Sequence, residues 1–114
     1  MKRQKSLILE RPKVMISEKE MTVLLGKDKE GYSALCPELD LVTEMDTPEE
    51  AFKDIVEAMK EYAKEYLDEF ELYSKSPNRS HHLPYIRAIA SCKSHWELLS
   101  LLEVRYGVVH LQSV

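Results

Sequence analysis

Glycine is scarce in this chain. Only Gly26, Gly31 and Gly107 occur in 114 residues, which leaves no glycine-rich loop to cradle a phosphate and no dinucleotide fingerprint. Cysteine is scarcer still: Cys36 and Cys92 show neither a CxxC pair nor metal-ligand spacing, and they read as two buried free thiols rather than a redox or zinc motif. No apolar run approaches the ~18–20 residues that a membrane span needs. The opening MKRQKSLILERPK has a basic head, but its apolar run is only Leu7-Ile8-Leu9, against about 7–15 residues in a signal-peptide core. A cytoplasmic protein is the expectation. Internal repeats and low-complexity tracts are also lacking.

What the chain does have is charge, unevenly placed. Its length suits a single domain with a real core of modest stability. The net charge is −4, yet residues 1–13 set five bases against one acid and residues 74–114 five bases against two acids. Between them, residues 14–47 hold eight acids against three lysines and residues 48–73 nine acids against three lysines. Phosphates would be repelled by such a middle, which suits a basic protein partner better than nucleic acid. A solvated helix face is the plainer reading of the same charges.

Met21–Leu25 is β-rich and ends at Gly26. Lys27-Asp-Lys-Glu-Gly31 has turn chemistry, with a glycine that tolerates positive φ. Tyr32–Cys36 then reads as the returning strand of a hairpin, ended by Pro37, which has no N–H for the ladder. Leu39–Met45 reads as a third strand. An earlier strand in Ser6–Glu10 or Val14–Ser17 would be split by Pro12. Thr47 is placed to cap a helix, with Pro48 at its first position and Glu50 completing a capping box. Phe52, Ile55, Val56, Met59, Tyr62, Ala63, Tyr66, Leu67 and Phe70 follow at helical spacing.

A helix over 48–73 would be roughly 39 Å long at ~1.5 Å per residue, whereas strands of six or seven residues reach only ~20–23 Å. Its far end, with Tyr66, Leu67, Phe70 and Tyr73, therefore needs a cover, either the C-terminal segment or a second subunit. These four are the candidate oligomer interface, and a homo-oligomer, dimer or higher, is expected. Beyond a polar loop over 74–83, Pro84–Ala90 reads as a fourth main strand, His95–Val104 as a second helix capped by Ser94, and Tyr106–Leu111 as a closing strand. The expected class is α+β: an antiparallel-rich sheet of three to five strands packed on one long helix, with a second C-terminal helix. One domain spans 1–114, divided into an N-terminal extension (1–19), a core (20–73), the loop (74–83) and a C-terminal strand-helix-strand segment (84–114).

Catalytic chemistry finds little support. Four acids, Glu38, Asp40, Glu44 and Asp46, fall within nine residues, and alternation would put them on one sheet face or rim. With Asp54, Asp40 and Asp46 could hold Mg²⁺ as in a metal-dependent nuclease of the RNase H type, but such a site needs carboxylates converging from several elements, and no second acidic strand is present. His81-His82 lies in the polar loop, where adjacent histidines bind metal weakly at best. No serine, cysteine or carboxylate makes a nucleophile–base arrangement with His95 or His110. No cofactor and no resident metal is expected. The basic N-terminus is short and lacks interleaved aromatics, so nucleic-acid binding is doubtful.

Gly31-Tyr32, Cys36-Pro37-Glu38-Leu39, Asp46-Thr47, Glu49-Glu50-Ala51 and Glu57-Ala58, in that order, resemble the HicB-like family, whose best-known members are antitoxins. The likeness runs from Met21 to about Tyr66. It implies a β-β-β-α-β core, a partial RNase H-like fold without catalytic carboxylates, that neutralises HicA, a small basic RNA-cleaving toxin. Two positions depart from that pattern: Met45 stands where a glycine usually precedes Asp-Thr, and Asp40 where glycine is common. Charge alone nominates Glu38, Asp40, Glu44 and Asp46 as partner-facing acids, with Asp54, Glu57 and Glu61 on the helix rim. The alternatives are a toxin-free oligomeric regulatory or scaffold module and, more remotely, the metal-dependent nuclease.

Overall fold

The computed structural model describes residues 19–108. The basic N-terminal run, the two candidate strands before Ser17, and His110 lie outside the described residues. Within them, three strands form an antiparallel meander: β1 (Met21–Lys27), β2 (Tyr32–Cys36) and β3 (Leu41–Met45). A fourth strand, β4 (Leu102–Val108), pairs in parallel with the far edge of β1, so the sheet order is β3-β2-β1-β4. Because β3 runs parallel to β4, the chain must cross over between them, and helical structure makes that crossing. The helices are α1 (Pro48–Asp68), α2 (Phe70–Tyr73), α3 (Leu83–Ser91) and α4 (His95–Ser100).

The hairpin turn forms as the sequence suggests, for a partly different reason. Asp28 Oδ1 accepts from the backbone N–H of Glu30 and of Gly31, each at 2.9 Å, a local bond that fixes the turn. Gly31 does not take a positive φ. Its need for hydrogen at Cα is steric: a Cβ there would lie 2.7 Å from the carbonyl oxygen of Met45 in β3.

Pro37 ends β2 and opens a short 3-10 turn, Pro37–Leu39. The chain then turns through Asp40, whose φ of 56° and ψ of 36° are left-handed. Aspartate tolerates that region better than most side chains. The third strand therefore starts at Leu41, two residues later than the sequence suggests.

Thr47 caps α1, its Oγ accepting from the Glu50 N–H at 3.1 Å. The Glu50 carboxylate returns the contact by accepting from the Thr47 hydroxyl at 2.9 Å. The helix lays Ile55, Val56, Met59 and Tyr66 on the sheet face that carries Met21, Val23, Ala34 and Cys36, and all eight are essentially inaccessible to solvent. The expected single helix over 48–73 is broken at Glu69 (φ −115°, ψ 43°). The break turns α2 so that the ring of Tyr73 comes to 5.5 Å from that of Tyr66 and 6.4 Å from that of Tyr62.

Pro84–Ala90 is not a strand. It lies inside α3, which packs against α1. Short apolar runs read equally well with either period. Here Leu83, Ile86 and Ile89 recur at three-residue steps, Ile86 and Ile89 are buried, and Pro84 lies in the first turn, where its missing N–H costs nothing. The C-terminal segment is thus helix-helix-strand. Its second helix, α4, is capped by Ser94 as expected, but stops at Ser100 so that Val104 enters β4. No helix among the described residues is long and apolar enough to cross a membrane.

Candidate functional site

The polar loop before α3 folds back onto the middle of α1 and makes a cleft of about 500 Å³. Leu39, Asp40 and Leu41 form one wall, Tyr62 and Glu65 another, and Arg79 and His82 the third. His82 is buried and is held from both sides. Its Nδ1 lies 2.6 Å from the Tyr62 hydroxyl, and its Nε2 lies 2.9 Å from Asp40 Oδ2. Burial raises the Tyr62 phenol above its usual range, against the opposing effect of the nearby Arg79 cation. The Arg79 guanidinium lies over the rings of Tyr73 and Tyr62, at 4.9 and 5.4 Å, a placement stabilised by the negative ring faces. Its carbonyl accepts from the Tyr66 hydroxyl at 2.9 Å. The loop is thereby fixed by three tyrosines of α1 and α2.

The seven acids nominated from the sequence do not share one surface. Glu38 lies in the 3-10 turn, where its carboxylate accepts from the backbone N–H of Thr22 at 3.0 Å and from the Thr22 hydroxyl at 2.8 Å. Asp54 accepts from the Thr43 hydroxyl, tying α1 to β3. Glu44 points to the sheet face opposite α1, beside Asp28. The hydrogen bond and like charge of Asp28 hold the Glu44 carboxyl above its ordinary range, while the N–H groups of the hairpin turn, chiefly that of Glu30, hold Asp28 below its own. Asp46 is exposed at the end of β3. Glu57 is exposed and ion-paired with Lys60 at 3.3 Å. Of the seven, Asp40 and Glu61 line the cleft.

Sequence patterning missed Glu65, Asp68 and Glu69, which continue the line of Glu57 and Glu61 along the exposed side of α1. Their three- and four-residue spacing was the available signal. Together they make an acidic ridge that ends at the break before α2.

Of the four apolar residues nominated for an oligomer interface, Tyr66 is fully buried inside the chain, Phe70 and Tyr73 are half-buried, and Leu67 is 40% exposed. Leu72, not anticipated, is 63% exposed. Among the described residues, the side chains that could share a metal ion are Asp40, His81 and His82, whose ligand atoms all lie within 4.8 Å of one another. Asp40, Asp46 and Asp54 do not converge into such a group.

A sequence model of the PHD-like family, described as the antitoxin of RelE/RelB toxin–antitoxin systems, matches residues 10–104. The chain belongs to this family. No curated protein matches this PHD-like chain. Among solved structures, it is similar to an antitoxin part of a candidate toxin/antitoxin system from Syntrophomonas wolfei subsp. wolfei. The match has a TM-score of 0.66 and 24% identity, covering 76% of this chain and 63% of that one. The PHD-like chain thus spans less than two thirds of that protein's length, and the likeness is one of fold.

Proposed function

We propose that this PHD-like chain neutralises a small basic RNA-cleaving toxin by binding, not catalysis, and that the ridge of Glu57, Glu61, Glu65, Asp68 and Glu69 covers the cationic surface with which the toxin would hold RNA. The observation that carries this reading is the ridge itself: four exposed acids along α1, Glu57, Glu61, Glu65 and Asp68, and a fifth, Glu69, at its break, in an antitoxin-family fold. Such a surface speeds encounter with a basic protein and competes with phosphate for the same cations. Asp40, on the same cleft as Glu61 and Glu65, extends the negative field beside it, whereas Glu44 on the opposite sheet face and Asp46 near the start of α1 lie away from the ridge. Glu38 and Asp54 contribute less to binding, because their carboxylates are part-buried as well as engaged within the chain, whereas Glu57 and Glu65 stay exposed while touching Lys60 and the Tyr73 hydroxyl.

The partner class is open to direct test. The HicB-like wording of the sequence points to a HicA-like toxin, whereas the family description pairs the antitoxin with RelE. Either partner would act on RNA in the cytoplasm, with the chain serving as one domain. The experiment is co-expression of the chain with a HicA-like and, separately, a RelE-like toxin, followed by affinity measurement at 50 and 300 mM salt for whichever is bound. The triple variant Glu57→Lys/Glu61→Lys/Glu65→Lys should bind at least about tenfold more weakly and lose most of the salt dependence. Unchanged affinity in that variant would refute the ridge as the binding surface.

Leu67 and Leu72 support a second reading, self-association through the far end of α1. Sedimentation of the chain alone tests it: a dimer that dissociates in Leu67→Asp/Leu72→Asp supports the reading, and a monomer at all concentrations ends it.

A further inference from the structure

We propose that Asp40, His81 and His82 form a zinc-binding site, a feature that does not depend on how the chain meets a toxin. Zinc takes imidazole nitrogen and carboxylate oxygen at about 2.0–2.2 Å, so neighbouring ligand atoms of a tetrahedral site lie ~3.3 Å apart. The separations present bracket that value. Asp40 Oδ2 is 2.9 Å from His82 Nε2 and 3.8 Å from His81 Nε2, and all three atoms fall within 4.8 Å. Closing on an ion would fall to the His81 ring, whose side chain is 60% exposed and lies against the ring of His82 at 4.3 Å.

Two further observations separate this cluster from a chance meeting of surface groups. His82 is 97% buried, its relative exposure being 3%, and its other nitrogen is already anchored on the Tyr62 hydroxyl. Histidine ligands generally need such an outer partner to fix ring orientation and tautomer. The hydroxyl serves either state. It can donate to Nδ1 while Nε2–H points at Asp40, or accept from Nδ1–H once Nε2 carries the metal. Asp40, for its part, holds a left-handed backbone, alone among the non-glycine described residues. Residues kept in sparsely populated conformations cluster at ligand sites, and this corner presents the carboxylate toward the two histidines.

The ligand set is that of a transition metal rather than Mg²⁺ or Ca²⁺, which prefer oxygen alone. Two imidazoles and one carboxylate leave a fourth position for water or for a donor group from a bound partner. A zinc ion here would join the corner ahead of β3 to the segment just before α3, Asp40 and His82 being 42 residues apart in the chain.

The test is Zn²⁺ titration of the untagged full chain by calorimetry, with thermal unfolding measured in parallel. One ion per chain is expected, and at a hundredfold excess over Kd the midpoint should rise by about 10 °C. His81→Ala, at an exposed side chain, should leave the metal-free midpoint nearly unchanged, weaken binding at least tenfold and abolish most of the rise. Asp40→Asn should do the same to binding. On zinc addition, the His82 side-chain nitrogens should report metal at Nε2 and a proton at Nδ1 by NMR. No saturable binding by the wild-type chain, or equal binding by His81→Ala and Asp40→Asn, would mean an adventitious ion only and overturn the site.

Discussion

The hydroxyl of Tyr62 lies 2.6 Å from Nδ1 of His82, twenty residues further along the chain. This contact holds the polar loop against α1, and no other described side chain bonds that nitrogen. Tyr62→Phe keeps the ring packing but strands Nδ1 in a buried position. The expected cost is about 1–3 kcal/mol, read as a lower urea midpoint with an unchanged slope. A neutral effect would mean that the Asp40–His82 contact and those of Arg79 and Tyr66 hold the loop without it.

Ile55 and Phe52 share the apolar stripe of α1 but not its burial. Ile55 is fully buried, and Ile55→Ala should cost about 2–5 kcal/mol. Phe52 is only half-buried, beside Leu25, Val104 and Tyr106, so Phe52→Ala should cost less than Ile55→Ala. Equilibrium denaturation of both variants checks the order, and the reverse order would mean that the helix rotates on its sheet.

Glu38 separates a folding role from a binding role. Glu38→Ala removes the acceptor of the Thr22 N–H and hydroxyl, so it should lower stability by about 1–3 kcal/mol. Toxin affinity of the folded variant should change little. A large loss of affinity with unchanged stability would put Glu38 back among the partner-facing acids.

Gly31→Ala drives a methyl group into the Met45 carbonyl. Because φ at Gly31 is not positive, any loss reports this close approach rather than the backbone conformation. Strain of about 1–3 kcal/mol is expected, and amide exchange should quicken first in β3, whose end must move.

Burial pushes the Cys36 thiol up to about 12 from its ordinary 9.0. The unfolded chain therefore releases this proton first as pH rises. The resulting stability is complete below pH 9 and is lost between 9 and 12, with a slope approaching ~1.4 kcal/mol per pH unit. Cys92 is less buried and its thiol is also raised, by burial and then by Glu97 and Glu20. A thiol reagent at pH 8 should modify Cys92 in the native protein and reach Cys36 only on unfolding. Equal labelling of the two would contradict the packing around Cys36.

The meander, the cap of α1 and its buried stripe were legible because each rests on neighbours in sequence: Asp28 with Glu30, Thr47 with Glu50, Ile55 with Met59. The helix over Pro84–Ala90 was missed because a seven-residue apolar run has too few turns to declare its period. The cleft was illegible for another reason. Asp40, Tyr62 and His82 come from three separated segments, and only the fold of the loop unites them. The even spacing of Glu38, Asp40, Glu44 and Asp46 suggested one face, but the turn at Pro37 and the left-handed corner at Asp40 reset the alternation before β3 begins.

The parallel pairing of β4 with β1 sets Met21 opposite Leu102, so the first described strand gains its second neighbour only from the last. During synthesis, β1, β2, β3 and α1 emerge from the ribosome before that partner does, and the loop closed by this pairing is among the longest the chain can make. The acidic ridge on α1 is therefore built early, on a sheet whose β1 edge is still open. A nascent chain could present that ridge to its partner before β4 seals the fold, and a protease would find the same edge open in any copy cut short of Leu102.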